Sequence, residues 1–127
     1  MEGYTANIEY ASKELTARER LKLKDTTAAI ALDEAVTPEI PVAVEIDYWG
    51  IVEIHNERSK GDSKDYNKIV IVGVDGNMYV TGSTSFRSAL DSIMQEMGGE
   101  ADRWELVIYK RESKNYKGKY FLTCTVA

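Results

Sequence analysis

The chain has 127 residues, 43% hydrophobic and 29% charged, which suits a single soluble globular domain whose core needs no disulfide or metal staple. Its formal charge of −5 argues against a protein that coats duplex DNA by bulk charge. Cys124 is the single cysteine, which excludes an internal disulfide and fits a reducing cytoplasm, and no apolar run reaches the roughly 20 residues of a membrane span.

Met1-Glu2-Gly3 runs into polar sequence, so a signal peptide is not expected, and Ala6 stands where a myristoylation signal needs a hydroxyl. Residues 1–15 are polar without a clear period and predict an N-terminal arm, ahead of one domain over residues 16–127. Thr16–Asp25 admits two readings. As a strand it puts Arg18, Arg20, Lys22 and Lys24 on one face and Leu21 and Leu23 on the other; as a helix the same residues scatter. The cleaner segregation favours a strand from about Leu21, with a helical turn before it as an open alternative. Its cations then form either a phosphate-contacting surface or a solvated edge whose lysines block edge pairing. Thr26–Val36 is read as a strand, with a short helix as the alternative. Thr37-Pro38-Glu39-Ile40-Pro41 is a break that holds both prolines.

Pro41–Glu57 alternates. Val42, Val44, Ile46, Tyr48, Val52 and Ile54 share one parity, which predicts a long half-buried strand with Gly50 at a bend or bulge. Trp49 falls on the polar parity with Glu45, Asp47 and Glu53. It is either an exposed ring available for stacking or a ring packed under a loop. Glu57–Asn67 is a polar loop. Ile69–Val74 reads as a buried strand, Asp75-Gly76 as a hairpin turn and Met78–Thr81 as the returning strand. Gly82-Ser83-Thr84-Ser85 supplies caps for a helix in which Phe86, Leu90, Ile93, Met94 and Met97 form a core stripe, and Gly98-Gly99 ends it. Trp104–Arg111 and Tyr120–Val126 are the last two strands.

Between those strands lies the most polarised stretch of the chain, Lys110–Tyr120. It holds five basic residues (Lys110, Arg111, Lys114, Lys117 and Lys119) against one acid, Glu112, a local +4 in a chain of −5. It also carries Asn115, Tyr116 and Gly118. Cations for phosphates with rings for bases is the mixture of single-stranded nucleic-acid surfaces. The plainer reading is a hairpin loop kept soluble by lysines. Potential is set within about a Debye length, roughly 10 Å, so the acidic total does not prevent local binding. Tyr109, Tyr116 and Tyr120 are the nearest rings, with Tyr66 and Tyr79 as outer candidates.

Catalysis is hard to build from these residues. His55 is the single histidine and is read as structural, Cys124 sits in an apolar strand, and no serine stands in a nucleophile elbow. Cys/His metal sites lack ligands, the carboxylates lack calcium-loop spacing, and the glycines lack a phosphate-loop pattern. No enzyme activity, catalytic residue, metal or other cofactor is expected.

Counting Ile69–Thr81 as one extended third strand and its return, the order is that of a mainly β, OB-like five-stranded barrel with one helix between strands 3 and 4. Such barrels bind oligonucleotides on the strand 2–3 face and the 1–2 and 4–5 loops, and Lys110–Tyr120 falls at the 4–5 position.

Several short motifs point the same way. They are the strand ending Ile54-His55-Asn56-Glu57, the turn Val74-Asp75-Gly76-Asn77-Met78-Tyr79, Thr81-Gly82-Ser83 before the helix, Tyr109-Lys110, and Ser113-Lys114-Asn115-Tyr116-Lys117-Gly118-Lys119 before the final strand. With these motifs the chain resembles single-stranded DNA-binding proteins of bacteriophages and mobile elements, and in order and length those of protein-primed Bacillus phages. The resemblance covers roughly Pro41 to Ala127 and is one of layout and short motifs. It implies an OB-like fold, cooperative sequence-independent binding of single-stranded DNA, and a role in phage or element replication in the cytoplasm of a bacterial host. Partners would be single-stranded DNA, with RNA open, and self-association or replication proteins; no membrane is expected. The expected contacts are Lys110, Arg111, Lys114, Lys117 and Lys119 on phosphates, Asn115 beside them in the loop, and Tyr109, Tyr116, Tyr120 and Trp49 as rings. Arg18, Arg20, Lys22 and Lys24 form a second set. The rival class is a phage-encoded inhibitor whose acidic face docks on a host enzyme or defence complex.

Overall fold

The computed structural model describes residues 4–56, 65–100 and 103–127. In chain order the elements are β1 (Tyr4–Ala11), α1 (Ala17–Lys24), β2 (Ile30–Ala31), α2 (Leu32–Ala35), β3 (Val42–Val44), β4 (Ile46–Asn56), β5 (Asp65–Gly73), β6 (Met78–Thr81), α3 (Thr84–Met97), β7 (Leu106–Glu112) and β8 (Tyr120–Val126). The protein is mainly β. Its strands form one five-stranded sheet, ordered β1-β4-β5-β6-β2, and one three-stranded sheet, ordered β3-β7-β8. Neither order closes on itself, so the pairings do not describe the closed five-stranded barrel expected from the sequence. The helix does fall between the hairpin and the last two strands, as the sequence predicts. The chain gathers into two compact units, residues 1–30 with 47–82 and residues 31–46 with 83–127, where the sequence predicts an arm and one domain. It passes between units three times, so no single linker marks the division.

The first unit holds the five-stranded sheet. Tyr4–Ala11 is a strand antiparallel to β4, not an arm, with a bulge between Ile8 and Tyr10. Its small apolar residues Ala6, Ile8 and Ala11 pack on a core of Leu15, Leu23, Tyr48, Val52, Ile54, Val70, Val72, Met78 and Val80. The predicted long strand over Pro41–Glu57 is two strands serving two sheets: Val42–Val44 pairs with β7, and Ile46–Asn56 lies between β1 and β5. Gly50 is not itself the bulge. It lies across from Ala11, where the Tyr10 carbonyl approaches so closely that an added Cβ would sit 2.6 Å from its oxygen. The hairpin from β5 to β6 turns at Asp75-Gly76 as expected: Gly76 N–H donates to Gly73 O at 2.9 Å, and Asp75 Oδ1 accepts from Asn77 N–H at 2.9 Å. Residues 57–64 of the expected polar loop lie outside the described residues, and Asp65–Asn67 already belongs to β5.

Thr16–Asp25 is the clearest departure from expectation. Ala17–Lys24 is a helix, started by a reciprocal cap: Glu19 N–H donates to Thr16 Oγ1 at 3.2 Å, and Thr16 N–H donates to Glu19 Oε1 at 2.9 Å. That Thr16 N–H, and then the Lys13 ammonium at 2.9 Å, hold the Glu19 carboxyl below its usual range. Leu23 is fully buried while Leu21 is 67% exposed, so the leucines do not share a face. Residues 26–36 form the two-residue β2 and the single turn α2, not one strand.

The second unit is the three-stranded sheet with α2 and α3. Ser83 caps α3, accepting from Phe86 N–H at 3.2 Å, and Ser85 Oγ donates to Leu122 O of β8 at 2.8 Å. Phe86 and Leu90 of α3 are fully buried, as are Leu32, Val36, Leu106 and Ile108. The stripe expected from the sequence is therefore core at its first two positions and half-buried at Ile93, Met94 and Met97.

Candidate nucleic-acid interface

Strands β7 and β8 pair antiparallel from Leu106↔Val126 to Glu112↔Tyr120, which brings residues 113–119 to one end of the three-stranded sheet. Ser113 N–H donates to Lys119 O at 2.8 Å and closes the loop. Within it Lys119 N–H donates to Tyr116 O at 3.2 Å around Gly118, whose φ of 81° is that of the third residue of a type II turn. Lys117-Gly118 is thus a local turn within the loop.

The second unit contains seven basic and ten acidic residues; five of the seven and one of the ten lie between Lys110 and Tyr120. Arg111, Lys114, Asn115, Lys117 and Lys119 are all exposed. Tyr116 is 64% exposed, with the Lys119 ammonium 5.7 Å from its ring centroid. A ring beside a cation can receive a base and the phosphate next to it. Lys110 differs from the others: it is half-buried, and its Nζ donates to the Asp33 carbonyl at 2.8 Å. It anchors the hairpin base to α2 and has less freedom to reach a ligand.

The rings divide by strand parity. Tyr109 is half-buried and shares its face with Arg111. Tyr120, 46% exposed, stands across from Glu112 on the other face. The Glu112 carboxylate, by its charge and by a hydrogen bond, and Glu39 by its charge hold the Tyr120 hydroxyl above its usual pKa. Phe121, across from Arg111, is 37% exposed. It was not among the sequence candidates, although its parity opposite Leu122 and Cys124 already points it away from the core.

The remaining candidates lie in the first unit. Trp49 is 4% exposed, with its ring 5.1 Å from that of Tyr10, so it is a packed ring and not a stacking platform. Tyr79 is buried, and Tyr66 is half-buried with Lys68 5.6 Å from its ring. Arg18, Arg20, Lys22 and Lys24 are exposed on α1, but helical spacing puts Arg18 and Lys22 on one flank of Leu23 and Arg20 and Lys24 on the other. They do not form the single cationic face expected of a strand. Lys22 also donates to the Gly76 carbonyl at 3.2 Å.

Burial pushes the Cys124 thiol up to about 12. At neutral pH the native protein is therefore expected to resist a thiol-disulfide reagent and to react fully once denatured; rapid labelling of the native chain would contradict the burial of β8. Among the described residues no group of three or more His, Cys, Asp or Glu side chains is placed to hold a metal ion, and no helix is long and apolar enough to cross a membrane. No family model, curated protein or solved structure matches this chain.

Proposed function

We propose that this protein binds single-stranded DNA without base specificity, in phage or mobile-element replication, and that the β7–β8 hairpin holds the strand. The observation that carries this reading is the gathering of five of the second unit's seven cations, with an exposed tyrosine, on one hairpin of an otherwise acid-rich unit. Exposed lysines lose little desolvation energy on meeting phosphates, and the counterions they release drive association. The acid elsewhere restricts anionic ligands to the hairpin. An OB-like barrel, action in the cytoplasm of a bacterial host, and association with itself or with replication proteins belong to this reading. The order hairpin, helix, strand, basic loop, strand supports the first of these.

The test is fluorescence anisotropy of a labelled oligothymidine of about 30 bases, enough to cover at least one single-strand site. Duplex DNA and oligouridine of equal length serve as competitors, at two salt concentrations. Tight binding that falls steeply with salt and is poorly competed by duplex is expected. Equal competition by oligouridine would widen the ligand to RNA. No binding at low salt overturns the reading and leaves the acidic surface, as a docking face for a basic host protein, to be pursued.

A further inference from the structure

The β7–β8 register sorts the hairpin into two chemically different faces. Residues directly opposite on antiparallel strands share a face, and successive residues alternate. One face carries Lys110, Glu112 and Tyr120, in line with the buried Leu106, Ile108, Leu122 and Cys124. The polar groups of that face are already engaged. Tyr120 is hydrogen-bonded to Glu112 and feels Glu39, and Lys110 is bound to the Asp33 carbonyl. A phosphate approaching Tyr120 meets carboxylates.

The other face carries Tyr109, Arg111, Phe121 and Thr123. Arg111 stands directly across from Phe121, and no carboxylate lies on this face between Val107 and Arg111 or between Phe121 and Thr125. The chain has two phenylalanines: Phe86 is fully buried, whereas Phe121 keeps 37% of its surface exposed beside a guanidinium. Tyr109 is its diagonal neighbour, about 7–8 Å away between Cα atoms and within reach of a second ring. Acid returns beyond the far end of the strands, at Glu105, which precedes β7, and at Glu45, which follows β3 and pairs with Arg103 at 3.5 Å. The cations of the three-stranded sheet therefore gather at its hairpin-loop end and acid at the other, which favours an anionic strand at the Phe121 end.

On the reading that the hairpin holds single-stranded DNA, we infer that the strand lies on the Arg111–Phe121 face. One base stacks on Phe121 and the next reaches Tyr109. Arg111 and the loop lysines take the phosphates, and Tyr120 does not stack. A phenylalanine offers a π-face with no hydrogen-bonding group, which suits binding that ignores base identity.

The experiment compares Phe121→Leu, Phe121→Trp and Tyr120→Leu on two ligands: oligothymidine and an abasic deoxyribose-phosphate chain of equal length. Wild type is expected to bind both, and oligothymidine more tightly. F121L is expected to lose about fivefold or more on oligothymidine, the low end of one stacked base, and to bind the abasic chain as wild type does. Y120L should stay within about twofold on both ligands. F121W should retain binding, and its added tryptophan should be quenched by oligothymidine. That signal decides the matter even if the leucine variant folds poorly. Normal oligothymidine binding by F121L, an unquenched Trp at position 121, or a larger loss in Y120L would overturn the placement. If wild type binds neither ligand, it is the single-strand reading itself that fails.

Discussion

Replacing Gly50 by alanine is expected to destabilise the protein by about 2–3 kcal/mol, the upper part of the overpacking range. The new Cβ would meet the Tyr10 carbonyl oxygen at 2.6 Å and Leu23 Cδ1 at 3.0 Å. The first is backbone, held by pairing between β1 and β4 and by hydrogen bonds in both directions between Ser12 and Trp49 at 2.9 Å. The second belongs to the one fully buried residue of α1. Relief therefore requires parting the two strands at Tyr10 and also shifting the Leu23 side chain. Gly→Ala at an unstrained site would act in the opposite direction, stabilising by about 0.4–1 kcal/mol through the unfolded chain. Gly82 supplies that control, since a Cβ there would find its nearest heavy atom, Asn67 O, at 3.8 Å. Urea unfolding should show a lowered midpoint at unchanged slope for G50A and a midpoint at or above wild type for G82A. Equal midpoints for the two variants would remove the close approach as a constraint on the sheet.

The elements readable from the sequence are those whose cause is local. The β5–β6 hairpin follows from Asp75-Gly76, α3 from the Ser83 cap and the spacing of Phe86 and Leu90, and β8 from an uninterrupted β-forming run. The α1 helix was also readable. The cap Thr16-Ala17-Arg18-Glu19 is in the sequence, and over so short a span the alternation of Leu21 and Leu23 with Lys22 and Lys24 fits a strand as well. Other features have no local signature. Alternation tells which way a side chain points and not which sheet it joins, so the change of partner between Val44 and Ile46 is invisible in it. The parity of Trp49, shared with Glu45, Asp47 and Glu53, leaves its ring either exposed or packed; Ile51 of that parity is buried too, so β4 buries both its faces and the packed reading holds. Tyr4–Ala11 is polar enough to read as an arm and becomes a strand through a partner distant in the sequence, Gly50–Asn56 of β4. For the interface, charge marked the loop. The register was needed to separate Arg111 and Phe121 from Glu112 and Tyr120, because neighbours in sequence lie on opposite faces of the hairpin.

Reversing two loop charges, Lys114→Glu with Lys117→Glu, is expected to weaken oligothymidine binding by on the order of tenfold or more and to flatten its salt dependence. Each phosphate contact on a single strand contributes about 0.7 to the slope of log affinity against log salt, so losing two should lower it by about 1.4. The loss should be nearly the same for oligothymidine and oligocytidine, because phosphate contacts carry no base information. Both lysines are exposed, and the loop is closed by backbone hydrogen bonds from Ser113 and Lys119, so the fold should be unaffected. Bulk charge is the competing explanation, since the double variant makes an acidic protein more acidic by four charges. Arg18→Glu with Arg20→Glu makes the same change on α1, where the side chains are exposed but flank a helix instead of gathering at one loop. If binding depends on net charge, the two variants will lose affinity and slope equally. If it depends on the hairpin, K114E/K117E will lose both while R18E/R20E keeps most of its affinity and its slope. Loss in neither variant would leave the loop lysines as solubilising residues and move the search for the ligand site off the hairpin.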